Sequence, residues 1–342
     1  MKKIILIAAA AIMLFGCGKK SAYTITGDIK GLSGTITLMD EKGENVAEVP
    51  VTDGKFTIEG VAEEPSLGLL ANDNQPIAML FLKPGNISVT GDTQQSITIS
   101  GTKANDNNAI FTEKQYAIME GFFTAASEEE RQAVADELKS YIETTMTENL
   151  DNYFGLYLLT NIISSMDGDE IIAWLDKFDD AVRNTTLAQE VRAHAEAMNN
   201  TSVGSKFIDI TLPDADGNEI ALSSLVGEGK YVLLDFWASW CMPCIRELPF
   251  LVKTYELYHD KGFEIYGVSL DRDIESWITA MKDNAMTWPN VSIIDNEEQT
   301  ATTDYAVQSI PANFLIDPDG NIIAKNLRGE EVQTKIAELL GK

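Results

Sequence analysis

Residues Trp237–Cys244 read WASWCMPC and join the most strand-like run of the chain, Tyr231–Phe236, to a helical run, Ile245–Leu251. Two cysteines separated by two residues at a strand-to-helix turn are typical of a thiol–disulfide redox site. Residues three apart at the start of a helix lie on the same side, so the two sulfurs can bond to each other. The first sulfur, that of Cys241, is predicted to lie over the free N–H groups at the positive end of the helix. That position favours thiolate, the attacking species in disulfide exchange.

Composition limits the classes of function. A chain of 342 residues has room for two or three domains with cores of their own. Its net charge of −27, from 53 acidic and 26 basic residues, argues against binding nucleic acid or an anionic lipid surface. Of the three cysteines, two form the pair above and the third is Cys17, which leaves none for a structural disulfide.

The first residues have the pattern of a secretory signal. Lys2 and Lys3 precede an apolar run, Ile4–Phe15, that is too short to span a membrane comfortably. The run ends at Gly16-Cys17, which resembles the lipobox of bacterial lipoproteins. The resemblance implies cleavage before Cys17, a lipid on its sulfur, and a place in the cell envelope facing the periplasm, on the inner or the outer membrane. An ordinary signal peptide with an incidental cysteine is the alternative.

Periodicity changes along the chain and predicts a multidomain protein. Short alternating strands with glycine turns indicate a small β-sandwich or open barrel, helical spacing follows, and the last part mixes strands and helices around one sheet. The predicted segments are a lipoprotein signal, lipobox and short tether at 1–22, a β-rich N-terminal domain at 23–102, a helical segment at 103–202, and an α/β domain at 203–342.

Two resemblances to known families follow from these residues. The segment Asp235–Cys244, with Pro249 after it, resembles the active-site segment of thioredoxins. The leading hairpin and the insertion at 271–301 look like the TlpA/ResA group of membrane-tethered thiol–disulfide oxidoreductases, in the AhpC/TSA and redoxin superfamily. The match covers about 140 residues and implies a thioredoxin fold for 203–342. More weakly, Phe81–Gly91 resembles an N-terminal domain of undefined function that often precedes such domains in Bacteroidetes-type lipoproteins.

The thioredoxin resemblance implies roles for particular residues. Cys241 corresponds to the nucleophile and Cys244 to the buried resolving thiol. Pro311 stands where the family has a cis-proline that faces the cysteines, and it would present the backbone of Ile310 to an extended substrate. On the residues alone, without the resemblance, an ordinary proline at the start of a strand is the favoured interpretation of Pro311.

Further site residues are implied around the cysteines. Asp235 matches the buried carboxylate beneath the disulfide, which can act as general base on the resolving thiol. A strand-end polar residue satisfied by the backbone is the alternative. Glu247 matches the group's helix glutamate, or is simply an acid in the first turns of a helix. Trp240, Met242 and Pro243 are predicted to shape the surface that contacts substrate.

These features together predict a membrane-anchored, extracytoplasmic thiol–disulfide oxidoreductase without cofactor or metal. Its substrates would be protein thiols and disulfides, and a membrane thiol-relay protein would supply electrons. Met242 adds no charge or hydrogen-bond donor between the cysteines, which favours a reductant over a strong oxidant.

Two alternatives stay open at this point. A thioredoxin-fold peroxidase or antioxidant enzyme needs a Thr or Ser three residues before its reactive cysteine, where Cys241 is preceded by Ala238 and Cys244 by Cys241. A lipid-anchored binding or adaptor protein with an incidental redox domain is the other.

Overall fold

The computed structural model describes residues 21–294 and 300–341, so Cys17 and most of the predicted signal and tether lie outside the described residues. The chain divides into two compact units. The first runs to Ser164 and also includes Trp174–Gln189, and the second comprises Ser165–Ala173 and Glu190–Lys342. No helix in the described ranges is long and apolar enough to cross a membrane.

The first unit is built from two four-stranded sheets that share one core. The sheet orders are β4-β1-β7-β8 and β3-β2-β5-β6. The strands are β1 (Ala22–Lys30), β2 (Thr35–Met39), β3 (Asn45–Pro50), β4 (Lys55–Val61), β5 (Ser66–Asn72), β6 (Gln75–Leu82), β7 (Gly85–Asp92) and β8 (Ile97–Ser100). Inward side chains such as Ile25 and Ile36 come from both sheets and are fully buried. The predicted sandwich-like all-β architecture is therefore confirmed.

The helical part follows directly after β8. Its helices are α1 (Lys103–Thr124), α2 (Glu128–Glu148), α3 (Tyr153–Thr160), α4 (Gly168–Leu175), α5 (Asp180–Arg183) and α6 (Thr186–Asn200). Thr102 and Ser127 cap α1 and α2 through their side chains, as their residue types favour. Within the first unit, the ring of Phe81 packs edge-on against Phe154 and Tyr157 of α3. The predicted middle helical segment is confirmed.

The end of this helical part is packed within the second unit. Thr201 is fully buried, and the N–H of Gly204 donates to the carbonyl of Ile322 at 2.8 Å. His194 of α6 is half-buried, and burial together with the charge of Lys325 lowers its pKa.

The second unit has the predicted thioredoxin-like α/β fold. A hairpin of β9 (Thr211–Pro213) and β10 (Glu219–Ala221) precedes a five-stranded sheet of order β13-β12-β11-β14-β15. The strands of that sheet are β11 (Tyr231–Trp237), β12 (Phe263–Ser269), β13 (Asn290–Ser292), β14 (Ala312–Ile316) and β15 (Ile322–Lys325). The helices are α7 (Met242–Tyr258), α8 (Ile274–Asp283), α9 (Ala301–Asp304) and α10 (Glu330–Leu340). β11 lies at the centre, parallel to β12 and antiparallel to β14.

Both faces of β11 are buried, which explains its nearly continuous apolar sequence. Val232, Leu234 and Phe236 belong to the core on one face of the sheet. Leu233 and Trp237 belong to the core on the other face, together with side chains of α7 and both site cysteines. Because side chains alternate along a strand, Asp235 points to the same face as Leu233 and Trp237. A carboxyl group is thereby placed beneath the cysteines.

One buried side chain fastens α1 to the sheets of the first unit. Asn105 accepts a hydrogen bond from the N–H of Phe81 at 2.8 Å and donates one to the carbonyl of Phe81 at 3.0 Å. Asn105 is only 2 % exposed, so its amide supplies both partners that the backbone of this strand residue needs away from water.

We predict that Asn105→Ala lowers the free energy of unfolding of the first unit by roughly 2–4 kcal/mol, because both polar groups of Phe81 lose their partner. Guanidinium unfolding followed by far-UV circular dichroism measures the effect. Asn108→Ala, on the same helix and partly exposed, is the matched control. Equal destabilisation by the two variants would contradict this account.

Candidate active site

Cys241 and Cys244 form a disulfide at the start of α7, with a sulfur–sulfur distance of 2.07 Å. Cys241 is the N-cap residue of α7, and its sulfur accepts a hydrogen bond from the N–H of Cys244 at 3.2 Å. Pro243 lies in the first turn, where no intrahelical N–H is required. The predicted position of the first sulfur over the helix start is confirmed. In the reduced protein, the same N–H and the helix terminus stabilise a thiolate on Cys241.

The peptide bond between Ile310 and Pro311 is cis, as the thioredoxin resemblance implied. The carbonyl oxygen of Ile310 lies 3.6 Å from the sulfur of Cys241. A disulfide sulfur has no proton to donate, so this is a contact here, and it becomes a hydrogen bond when Cys241 is a thiol. The backbone just before β14 is therefore adjacent to the reactive sulfur.

Asp235 is the buried carboxyl group of the site. It is 4 % exposed and lies between Gly267 of β12 and Asn313 of β14 in the sheet register. Burial raises its pKa to about 7, while the positive charge of Arg328 lowers the pKa and the negative charge of Glu247 raises it. At neutral pH this carboxyl group is thus able both to accept and to release a proton.

Glu247 lies on α7 and is partly buried. Its Oε2 accepts a hydrogen bond from the N–H of Gly329 at 2.6 Å. Gly329 is the N-cap residue of α10, so the carboxylate of Glu247 satisfies a free N–H at the start of that helix. The neighbouring Arg328 donates from Nη2 to the carbonyl oxygen of Pro311 at 2.5 Å. Arg328 and Gly329 thus connect the cis-proline to α7.

Asp271 fixes the loop that carries Ser239, just before Cys241. Its carboxylate accepts hydrogen bonds from the N–H of Ser239 at 3.0 Å and from the hydroxyl of Ser239 at 2.5 Å. The hydroxyl of Ser269 donates to the same carboxylate at 2.7 Å. Asp271 is 2 % exposed, and the three donors compensate for its removal from water. The segment before Cys241 is therefore held from the end of β12.

The rim around the disulfide is apolar and open to solvent. Trp240 is 64 % exposed and Met242 is 62 % exposed, and Pro243 is also exposed. The cysteines themselves are almost covered, at 5 % for Cys241 and 2 % for Cys244. A groove of about 680 Å³ opens beside Trp240. The structure thus gathers all of the predicted site residues except Cys17 in the second unit, around one disulfide.

Three residues of the site carried no sequence signal. Arg328, Asp271 and Asn313 lie far along the chain from the cysteines, and their own residue types and spacing do not mark them as site residues. Arg328 directly precedes the glycine and paired acids that start α10, which is the only local hint. Within residues 21–294 and 300–341, no cluster of three or more His, Cys, Asp or Glu side chains is arranged to hold a metal ion.

Family models match two parts of the chain. The model of the AhpC/TSA family matches residues 203–325, and the model of a domain of unknown function, DUF4369, matches residues 23–108. The first match covers the disulfide and the cis-proline, and the second covers the two sheets of the first unit.

Curated relatives and solved structures resemble part of the chain. The thiol-disulfide oxidoreductase ResA of Bacillus cereus is 32% identical over 157 residues, covering 46% of this chain and 86% of the relative. ResA of Geobacillus kaustophilus is 33% identical over 141 residues, covering 40% of this chain and 78% of the relative. The thioredoxin domain of a thiol-disulfide oxidoreductase from Bacteroides vulgatus is 37% identical, covering 41% of this chain and 98% of that one, with a TM-score of 0.39. On the extent and identity of the ResA matches, the chain belongs to the ResA family of thiol–disulfide oxidoreductases.

Proposed function

We propose that this oxidoreductase is anchored by lipid outside the cytoplasm and reduces disulfides in protein substrates. The observation that carries the proposal is the Cys241–Cys244 pair at the start of α7, beside the cis Ile310–Pro311 peptide. This arrangement supplies a reactive sulfur, a second sulfur that bonds to it, and an adjacent backbone carbonyl. These are the parts that reversible exchange with an extended polypeptide needs.

The exchange has two steps. The thiolate of Cys241 attacks one sulfur of a substrate disulfide, forms a mixed disulfide and releases the other substrate sulfur as a thiolate, which takes up a proton. Cys244 then loses its proton, its sulfur attacks the sulfur of Cys241, and the second substrate thiol is released. Two electrons pass to the substrate, and the protein ends with the disulfide seen here. The reverse sequence oxidises a substrate dithiol.

Asp235 is proposed as general base for the second step. It lies beneath the disulfide on the α7 face of β11, and burial raises its pKa to about 7. A carboxylate of that basicity can take the proton of Cys244 as the mixed disulfide is resolved. Glu247 contributes through its charge, which raises the pKa of Asp235, and through its hydrogen bond to Gly329.

Substrate recognition is proposed to involve Trp240, Met242, Pro243, Ile310 and Pro311. The first three form the exposed apolar rim of the disulfide, which suits the side chains that flank a substrate cysteine. The carbonyl of Ile310 is directed at the site and is available to an extended substrate backbone.

The proposed direction of electron flow rests on the residues between the cysteines. Met242 and Pro243 bring no positive charge and no side-chain donor that would stabilise the thiolate further and make the disulfide strongly oxidising. The chain therefore fits a reductant whose own disulfide is reduced again by a membrane thiol-relay protein.

The proposed location rests on the sequence of the first 22 residues. Cleavage before Cys17 and acylation of its sulfur would leave a tether of roughly 20 Å before β1. The protein would then meet its substrates on the periplasmic side of a membrane.

We predict that Cys241→Ser abolishes reduction of insulin disulfides, because the attacking sulfur is lost. Cys244→Ser should instead accumulate a mixed disulfide with the substrate, visible on a non-reducing gel and cleaved by dithiothreitol. Cys17→Ser removes the remaining cysteine and should leave the rate in solution unchanged. Full activity of Cys241→Ser would favour the binding or adaptor function.

For Asp235→Asn we predict slower resolution of the mixed disulfide, by about tenfold or more at pH 7. In the wild type the rate should rise with pH through about 7, because only the ionised carboxylate accepts the proton. The variant should lack this inflection, because the amide of asparagine does not titrate. Single-turnover release of the second substrate thiol between pH 5.5 and 9 measures both. The exposed Asp319→Asn is the control, and an unchanged profile for Asp235→Asn would refute the role.

Metabolic labelling with a radioactive fatty acid tests the anchor. We predict that the wild-type chain incorporates the label and fractionates with membranes, whereas Cys17→Ser does neither, since acylation requires that sulfur. Cys241→Ser should label as the wild type does and controls for loss of a cysteine in general. Equal labelling of Cys17→Ser and the wild type would remove the anchor.

A further inference from the structure

The segment Asn326–Gly329, between β15 and α10, borders the active site and carries a half-buried arginine. Arg328 donates from Nη2 to the carbonyl oxygen of Pro311 at 2.5 Å and from Nη1 to the carbonyl oxygen of Leu327 at 3.0 Å. The planar guanidinium is therefore held by two acceptors at once, and one of them belongs to the cis-proline.

The backbone of this segment is fixed on both sides of Arg328. On one side, Asn313 donates to the carbonyl of Leu327 and accepts from the N–H of Leu327, each at 2.9 Å. On the other side, the N–H of Gly329 donates to Glu247 at 2.6 Å. Asn313 is also the residue of β14 that lies opposite Asp235. The guanidinium thus has a fixed place relative to the cis-proline, α7 and the strand that carries Asp235.

The charges around Asp235 are few. The strand neighbours Gly267 and Asn313 are uncharged, and α10 contributes Val332 and Ile336 to the core on this face. The cysteines of α7 are joined in the disulfide and titrate only when reduced. Glu247 raises the pKa of Asp235, and Arg328 lowers it. An arginine side chain carries a constant positive charge, so the effect of Arg328 on Asp235 does not itself vary with pH.

We propose that Arg328 is a positioning residue of the redox site, which holds the carbonyl of the cis-proline in place and supplies the fixed positive charge that supports ionised Asp235. The inference rests on the proposed role of Asp235 as proton acceptor. The hydrogen bond to Pro311 keeps the preceding carbonyl, that of Ile310, beside the sulfur of Cys241. The charge favours the ionised form of Asp235, which is the form that can accept the proton of Cys244.

The two parts of the proposal are separable by substitution. Arg328→Met removes the charge and both hydrogen bonds but keeps an extended side chain. Arg328→Lys keeps the charge and loses the planar pair of donors. Arg246→Met removes one positive charge from an exposed position on α7 and is the matched control, because solvent screens that charge.

The first measurement is the pKa of Asp235 in the oxidised full chain, from carboxyl-carbon NMR of selectively labelled aspartate. We expect Arg328→Met to raise it by roughly half a pH unit or more, and Arg328→Lys and Arg246→Met to leave it near the wild-type value. The second is the steady-state reduction of a disulfide-containing peptide. We expect Arg328→Lys to raise KM severalfold with little change in kcat, and Arg328→Met also to shift the pH profile of kcat upward.

An unshifted pKa of Asp235 in a folded Arg328→Met variant, with wild-type KM in Arg328→Lys, would overturn the proposal. The NMR titration does not depend on turnover, so it tests the effect of Arg328 even if Asp235 is not the general base. The general-base role of Asp235 is tested separately by Asp235→Asn. Arg328→Gln, which keeps an N–H donor without the charge, replaces Arg328→Met if that variant does not fold. Loss of folding in both would make the side chain purely structural and would also overturn the proposal.

Discussion

The structure of the redox unit depends on a carboxyl group that is enclosed in apolar surroundings beneath a disulfide. Burying an ionised carboxylate alone is costly, so such a group shifts its pKa or acquires partners. Asp235 does the first, with its pKa raised to about 7. Burial, which usually only stabilises a core, here gives Asp235 a pKa near neutral pH, as its proposed role as proton acceptor requires.

Strand register determines which distant segments meet at this point. β14 runs antiparallel to β11 with Ala312 opposite Phe236 and Asn313 opposite Asp235. That register brings the cis-proline, one residue before β14, to the end of β11 that leads into α7. Shifting the pairing by one residue would turn Asp235 to the opposite face of the sheet and separate it from the disulfide. The register of one strand pair thus sets the positions of Asp235, the sulfurs and the cis-proline backbone together.

Local sequence patterns predicted what depends on local structure. The cysteine spacing at a strand-to-helix turn gave Cys241 at the N-cap, and alternation gave most strands of the sandwich. β3 and β5 carry a weaker sequence signal, because β3 is an edge strand whose residues are largely exposed and Gly68 interrupts the apolar run of β5. Asp271 and Arg328 were missed for another reason. Their partners, Ser239 and Pro311, are set by the fold and not by nearby sequence, so no periodicity or motif marks them.

The segment before α10 acts both on the cis-proline and on the pKa of Asp235. Arg328 binds the cis-proline carbonyl, and the adjacent Gly329 binds Glu247. The charges of Arg328 and Glu247 act on the pKa of Asp235 in opposite directions. A displacement of this segment would therefore change the shape of the substrate-facing edge and the proton affinity beneath the disulfide at the same time. The proposed substrate contact at the cis-proline and the proposed proton transfer to Asp235 therefore depend on the same segment, whose residues meet the cysteines only in the folded chain.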